Sequence, residues 1–328
     1  MPTAQQFLDR HMALRLFIYG NAKMKKTWWA LKAAEAGFRV LLFDANRGAG
    51  ILTQINPAAR ERIYILDCAD AADNAYAQAF IGEAFKSQHF YFNEETRRVS
   101  SVKRPGFREI NMKLFGRETV VVVDSYTDIV HSLTRRFADD NNIDLGDAQK
   151  PDWEGYGWCA RRATWMIKQI NKLACHVILI GHATQYEKYK KDSRNPKKQG
   201  ELEFSRRQPI STSNPHGMSV TGDFTDVFYF YAEHGKFLIS SEGDIEKEAG
   251  SRLVPPAKYD WDKLQFVDLC RVGGIPLPEK SADVFDFPVV PELMQPAAVV
   301  KPTELPVIQP QTSTDKVKTG NLTTLLRR

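Results

Sequence analysis

Cysteine is scarce: Cys68, Cys159, Cys175 and Cys270 are the only four, and no two stand in a C-x-x-C spacing. Structural zinc sites draw on such pairs and disulfide scaffolds on many more, so neither fits, and a reducing, cytoplasmic compartment is expected. No apolar run approaches the roughly 20 residues that span a bilayer. The opening MPTAQQFLDRHM also lacks the apolar stretch of a secretory signal, so no membrane partner is expected. Neither charge sign dominates: 45 basic against 40 acidic residues leave +5, which permits contact with nucleic acid without requiring it. There is no internal repeat, no metal-hydrolase spacing and no glycine-flanked serine elbow, which removes those enzyme classes. Apolar residues are not short: at 43% of 328 residues they can form one sizeable core plus extensions.

The most informative segment is 16–27, LFIYGNAKMKKT, an apolar strand that runs into a glycine. Lys26 and Thr27 follow at the spacing of a phosphate-binding loop, G-x-x-x-x-G-K-T/S. Such a loop works because main-chain N–H groups and the N-terminus of the next helix point at an anion. The candidate nucleotide cradle is therefore Gly20, Asn21, Ala22, Lys23, Met24, Lys25, Lys26, Thr27 and Trp28. Lys26 is placed on phosphate and Thr27 offers its hydroxyl to magnesium, so ATP and Mg2+ are the expected cofactors. The motif's second glycine is missing. Lys25 stands there, its Cβ beside the β-phosphate position, and its ammonium either attracts phosphate or crowds it.

Apolar runs alternate with helical stretches, the pattern of an α/β chain with a mostly parallel twisted sheet and helices on both faces. Strands are expected at 14–19, 38–43, 62–66, 118–123, 176–180, 226–232 and 236–240. Helices are expected over 26–36, 71–86, from about 126 to 137, and over 158–173. Residues 89–103 predict a hairpin, an insertion spanning about 88–104. Two polar stretches, 139–157 and 183–217, predict flexible loops. The nucleotide-binding domain covers 1–275. Prolines at 276, 278, 288, 291, 296, 302, 306 and 310 predict a disordered tail over 276–328 that ends in a basic segment and offers a docking peptide to a protein partner.

Four valines followed by Asp124 make a buried strand that delivers a carboxylate to the magnesium shell. A later strand leads to Gly181-His182, where a polar side chain can sense the γ-phosphate and move the segment after it.

The order of these elements resembles the RecA-type recombinase core, particularly small phage-encoded RecA-like ATPases of recombination and single-strand annealing. The resemblance covers residues 14 to about 255. It implies catalytic roles for Lys26, for the residue at position 46 and for His182, and metal ligation by Thr27 and Asp124. In that family the second strand ends in a D-x-E segment whose glutamate activates water; here the segment is Asp44-Ala45-Asn46. An amide can hydrogen-bond a water but cannot take its proton, so general-base help is lost. Asn46 and Lys25 together predict ATP hydrolysis that is slow, rewired or absent, with Glu35, Glu118 or Asp128 as replacement bases.

The resemblance also places loops that grip single-stranded DNA at 139–157 and 183–217, the second directly after the sensor strand. There the chain carries Lys188, Lys190, Lys191, Arg194, Lys197, Lys198, Arg206 and Arg207, interleaved with Tyr186, Tyr189 and Phe204. Cations for phosphates and rings for bases are the ingredients of single-strand binding. A second basic patch, Arg97, Arg98, Lys103, Arg104 and Arg108, lies on the predicted hairpin and its exit. The leading expectation is a homo-oligomer, filament or ring, that holds nucleotide between subunits and binds single-stranded DNA. A catalytically inactive scaffold that binds a protein partner is the alternative. A partition-type ATPase is a further one, although that family needs a lysine where Asn21 sits.

Overall fold

The computed structural model describes residues 13–71, 75–143, 153–191, 199–243 and 247–278, all within the first of two units, Met1–Val289. The expected tail lies outside the described residues from 279 onward. The central sheet begins with β1 (Arg15–Gly20), β2 (Arg39–Asp44) and β3 (Ile63–Asp67). It continues with β7 (Thr119–Asp124), β8 (His176–Lys191) and β10 (Asp226–Glu233), and closes with β11 (Lys236–Ser240) and β12 (Lys258–Asp260). Their order is β12-β11-β10-β1-β8-β7-β2-β3, and pairing is parallel from β10 through to β3. β11 and β12 add an antiparallel edge.

Parallel strands covered on both faces read as continuous apolar runs, and alternate residues serve opposite faces. Phe17, Tyr19, Leu41, Phe43, Val121 and Val123 therefore pack on one side. They meet α3 (Tyr76–Ser87), α4 (Tyr126–Asp140) and α5 (Trp153–Ile170) through Phe80, Ile129 and Met166. Leu16, Ile18, Leu42, Val120 and Val122 pack on the other. There Trp29 comes from α1 (Lys26–Leu31), Ala59 from α2 (Pro57–Arg60), and Phe266 and Leu269 from α7 (Phe266–Val272). The expected helix over 26–36 divides: after Leu31 the chain tightens into a 3-10 turn, Lys32–Ala36, that ends at Gly37.

The expected hairpin is present as β4 (His89–Asn93) and β5 (Arg98–Ser100), and β6 (Arg108–Asn111) completes a separate three-stranded antiparallel sheet. The two loop expectations need correction. α4 runs to Asp140 and α5 opens at Trp153, so both helices invade 139–157; its remaining residues 144–152 lie outside the described residues. In 183–217, the described residues 183–191 and 199–217 lie mainly in defined elements, and 192–198 lie outside the described residues. β8 continues to Lys191 and pairs with β9 (Gln199–Pro209) from Ala183↔Pro209 to Lys191↔Gln199. α6 (Asn214–Val220) follows. Polar and charged residues dominate the hairpin part of β8, and only Leu202 and Phe204 alternate on β9, too short a pattern to announce the pairing; bonds such as Gln185 Nε2 to Ser205 Oγ, 2.9 Å, link the two arms. Among the described residues no helix is long and apolar enough to cross a membrane.

Candidate nucleotide site

Parallel register brings the strand ends to one edge: Gly20 lies opposite His182, and Asp44 opposite Asp124. β8 stands between β1 and β7, so the loop after β1 and the carboxylate of β7 face each other across the end of β8. Ligand sites of parallel sheets lie outside such carboxyl ends. Gly20 is required by close approach: a Cβ there would meet the Phe230 carbonyl oxygen of β10 at 2.0 Å.

Lys26 is buried, and its Nζ donates to the carbonyls of Gly20, 2.9 Å, and Asn21, 2.7 Å. Burial pulls its pKa down to about 8, against the raising influence of Asp124. Thr27 Oγ1 donates to Asp124 Oδ2 at 2.5 Å, and Asn46 Nδ2 donates to Asp124 Oδ1 at 2.9 Å. Both oxygens of this buried carboxylate are thus engaged. Burial lifts its pKa to about 6, with the Thr27 bond acting in the opposite direction. Asp44 accepts the N–H groups of Gly48, 2.9 Å, and Ala49, 3.0 Å, which fixes the turn that carries Asn46. Asn46 Oδ1 is buried without a hydrogen-bond partner. Such an acceptor beside Asp124 wants a donor or a cation.

His182 is half-buried and its main-chain N–H donates to Thr127 Oγ1 at 2.9 Å. Burial and the nearby Lys26 lower its pKa. Ser125 caps α4 by accepting the Asp128 N–H at 3.2 Å, and its hydroxyl donates to the Asp128 carboxylate. Asp128 is accordingly the one candidate replacement base at this edge. Glu118 sits before β7, at the opposite edge, paired with Arg39 at 3.2 Å. Glu35 pairs with Lys32 at 3.5 Å and accepts the Asn56 N–H.

Lys25 adopts the left-handed region, φ 55°, as does Lys23, φ 64°. A glycine would take that conformation without the roughly 1–2 kcal/mol an L side chain spends there. The Lys25 ammonium, expected either to attract or to crowd phosphate, is engaged by aromatic rings. It lies over the rings of Trp261, 4.4 Å from the centroid, and Phe237, 4.8 Å. The ring attraction offsets part of the backbone cost. No motif named Trp261 or Phe237; both lie more than 200 residues downstream, on or beside the antiparallel edge.

The candidate nucleic-acid residues divide. Lys188, Lys190 and Lys191 lie on the outer part of β8, and Arg194, Lys197 and Lys198 are outside the described residues. Arg206 pairs with Glu248 at 3.0 Å, and Glu248 also accepts from Thr221 Oγ1 at 3.0 Å. Arg207 donates to Tyr229 OH at 3.3 Å and stacks over that ring. These two arginines root the hairpin in the body. In the second patch, Arg97 is taken by Asp67 at 2.7 Å and Arg108 by Glu94 at 3.4 Å, while Arg98, Lys103 and Arg104 are exposed.

Magnesium prefers hard oxygen ligands, and the donors here, the Thr27 hydroxyl, the Asp124 carboxylate and the orphan Asn46 oxygen, fit it.

A family model described as "AAA domain" matches residues 12–208, more than half of the chain. Among solved structures, the chain is similar to one described as the RadB recombinase, with 17% identity and a TM-score of 0.36, over 76% of this chain and 87% of that one. It is also similar to a prototypical ATPase from the type III secretion system of pathogenic bacteria, with 11% identity and a TM-score of 0.34, over 66% of this chain and 51% of that one. No curated protein matches it.

Proposed function

The chain belongs to the AAA-domain family, and from that premise we propose that it binds ATP with magnesium and acts on single-stranded DNA in recombination or annealing of the kind phages and mobile elements encode. Lys26 holds phosphate; Thr27 and Asp124 hold the cation, which screens charge on the phosphates. Asn46 orients water without removing its proton, so turnover is slow. The observation that carries the reading is the continuity of β8. The strand that sets His182 beside Gly20 runs unbroken into a hairpin bearing Lys188, Lys190 and Lys191. In this reading a change at the phosphate end reaches the basic segment along the same strand. Side-by-side assembly of copies of this chain, with nucleotide between them, belongs to the same proposal.

The test is fluorescence anisotropy with a labelled single-stranded oligonucleotide, with and without ATP and magnesium, across a salt series. Binding is expected to respond to nucleotide and to weaken steeply as salt rises, since phosphate contacts release counterions. Absence of binding at low salt in both conditions would overturn it. A non-catalytic scaffold is the second reading, favoured by Lys25 and Asn46 replacing motif residues. ATP turnover above background in the same preparation would count against that scaffold.

A further inference from the structure

Beside the phosphate loop, at the border of the second core, lies a partly exposed aromatic cluster. Trp29 turns inward and is fully buried, whereas its neighbour Trp28 stays partly exposed and meets Trp261 edge to face, ring centroids 4.5 Å apart. Trp261 is held to β11 by its N–H, which donates to the Phe237 carbonyl, and the Phe237 ring lies 6.4 Å from it. Phe237 and Trp261 are both partly exposed. Two ammonium groups cover these rings: Lys25 over Trp261 and Phe237, and Lys32 over Trp28 at 4.3 Å. Three partly exposed rings therefore cluster within one side chain's reach of the loop that would hold phosphates. A nucleotide anchored there has a flat, polarisable base to place, and base stacking on such rings is independent of hydrogen-bond pattern.

We propose that Trp261 and Phe237 form the seat for the base of the nucleotide, and that Lys25 is the side chain that occupies this seat when the base does not. When the base stacks on the ring face, the Lys25 ammonium is displaced toward the phosphates, one residue from Lys26. This gives the departure from motif a purpose that a glycine could not serve. The inference rests on the phosphate-loop reading above and specifies its substrate as a nucleoside triphosphate recognised at both ends.

The experiment compares ATP with inorganic tripolyphosphate, which has the phosphates and no base, on the full chain by calorimetry. The wild type is expected to bind ATP more tightly than tripolyphosphate. Trp261→Ala should weaken ATP by about tenfold and leave tripolyphosphate unchanged, while Trp261→Phe, which keeps a ring, should retain most of the ATP affinity. ATP, but not tripolyphosphate, should also change tryptophan emission in the wild type, a readout that needs no variant to fold. Equal wild-type affinities for the two ligands, or equal losses for both in Trp261→Ala, would overturn the base seat while leaving the phosphate loop standing. Failure of the wild type to bind either would overturn the phosphate-loop reading and this inference with it.

Discussion

Asp124 is held by neighbours of different chemistry, a hydroxyl from Thr27 and an amide from Asn46. The amide is the informative one, because its Nδ2 is committed while its oxygen has no partner. A carboxylate in its place would offer a proton acceptor, whereas the carboxylates now at this edge are already engaged: Asp124 by Thr27 and Asn46, Asp44 by the Gly48 and Ala49 N–H groups, and Asp128 by Ser125. Asn46→Glu is therefore expected to raise magnesium-dependent ATP turnover by about a hundredfold, the low end of what a positioned general base contributes. Asn46→Gln, of the same length without the charge, should not. The check is steady-state phosphate release from both variants beside the wild type; no gain in the glutamate variant would show that proton abstraction is not what limits the site. At this scale the sequence was legible where the chemistry is local. Gly20, Lys26, Thr27 and Asp124 announce themselves by spacing. The destination of Lys25 does not, because it depends on φ 55° and on rings at positions 237 and 261.

Elements built from buried apolar runs were equally legible, and the hairpin of β8 and β9 was not. Polar residues such as Thr184, Gln185, Glu187 and Ser205 leave it only the brief alternation of Leu202 and Phe204, so its order rests mainly on ladder bonds and on its root. The root is a small network: Arg206 on Glu248, Thr221 on the same carboxylate, and Arg207 on Tyr229. Glu248 is half-withdrawn from water and burial raises its pKa, with Arg206 opposing. Glu248→Ala should cost only about 1 kcal/mol of global stability, the scale of a partly exposed pair. Its larger effect should be local: cleavage within 186–207 under limited proteolysis should accelerate, because local opening of an edge hairpin is far cheaper than global unfolding. An unchanged cleavage rate there would mean that the ladder alone orders the hairpin.

For the whole molecule, the decisive fact is that one sheet separates two cores, and the strand order β10-β1-β8-β7-β2 places every candidate nucleotide residue on one edge. The parallel pairing, though not the order, follows from alternating strand and helix patterns, which is why the architecture could be read ahead of its details; short pieces such as β6, β12 and α6 carry too few residues to show a period. The opposite edge of the sheet has its own titrating group. His176, at the start of β8, is buried, accepts the Leu14 N–H on Nδ1 at 3.0 Å, and lies edge-on to Phe38 and Phe266. Burial lowers its pKa from 6.5 to about 4, so the folded chain keeps it neutral where the unfolded chain protonates it. The unfolded state then binds more protons between those values, so this contribution is complete above pH 6.5 and is lost as pH falls toward 4. Its full span is about 3 kcal/mol. Carboxylates with raised pKa values, Asp124 among them, act with the opposite sign, so the wild-type curve alone is a sum. The difference between wild type and His176→Asn isolates the term, since asparagine keeps an acceptor for Leu14 but cannot titrate. Denaturant unfolding at a series of pH values should show the wild type losing stability relative to the variant from pH 6.5 down to 4, and parallel curves would remove His176 as the link between the first strand and the acid sensitivity of the fold.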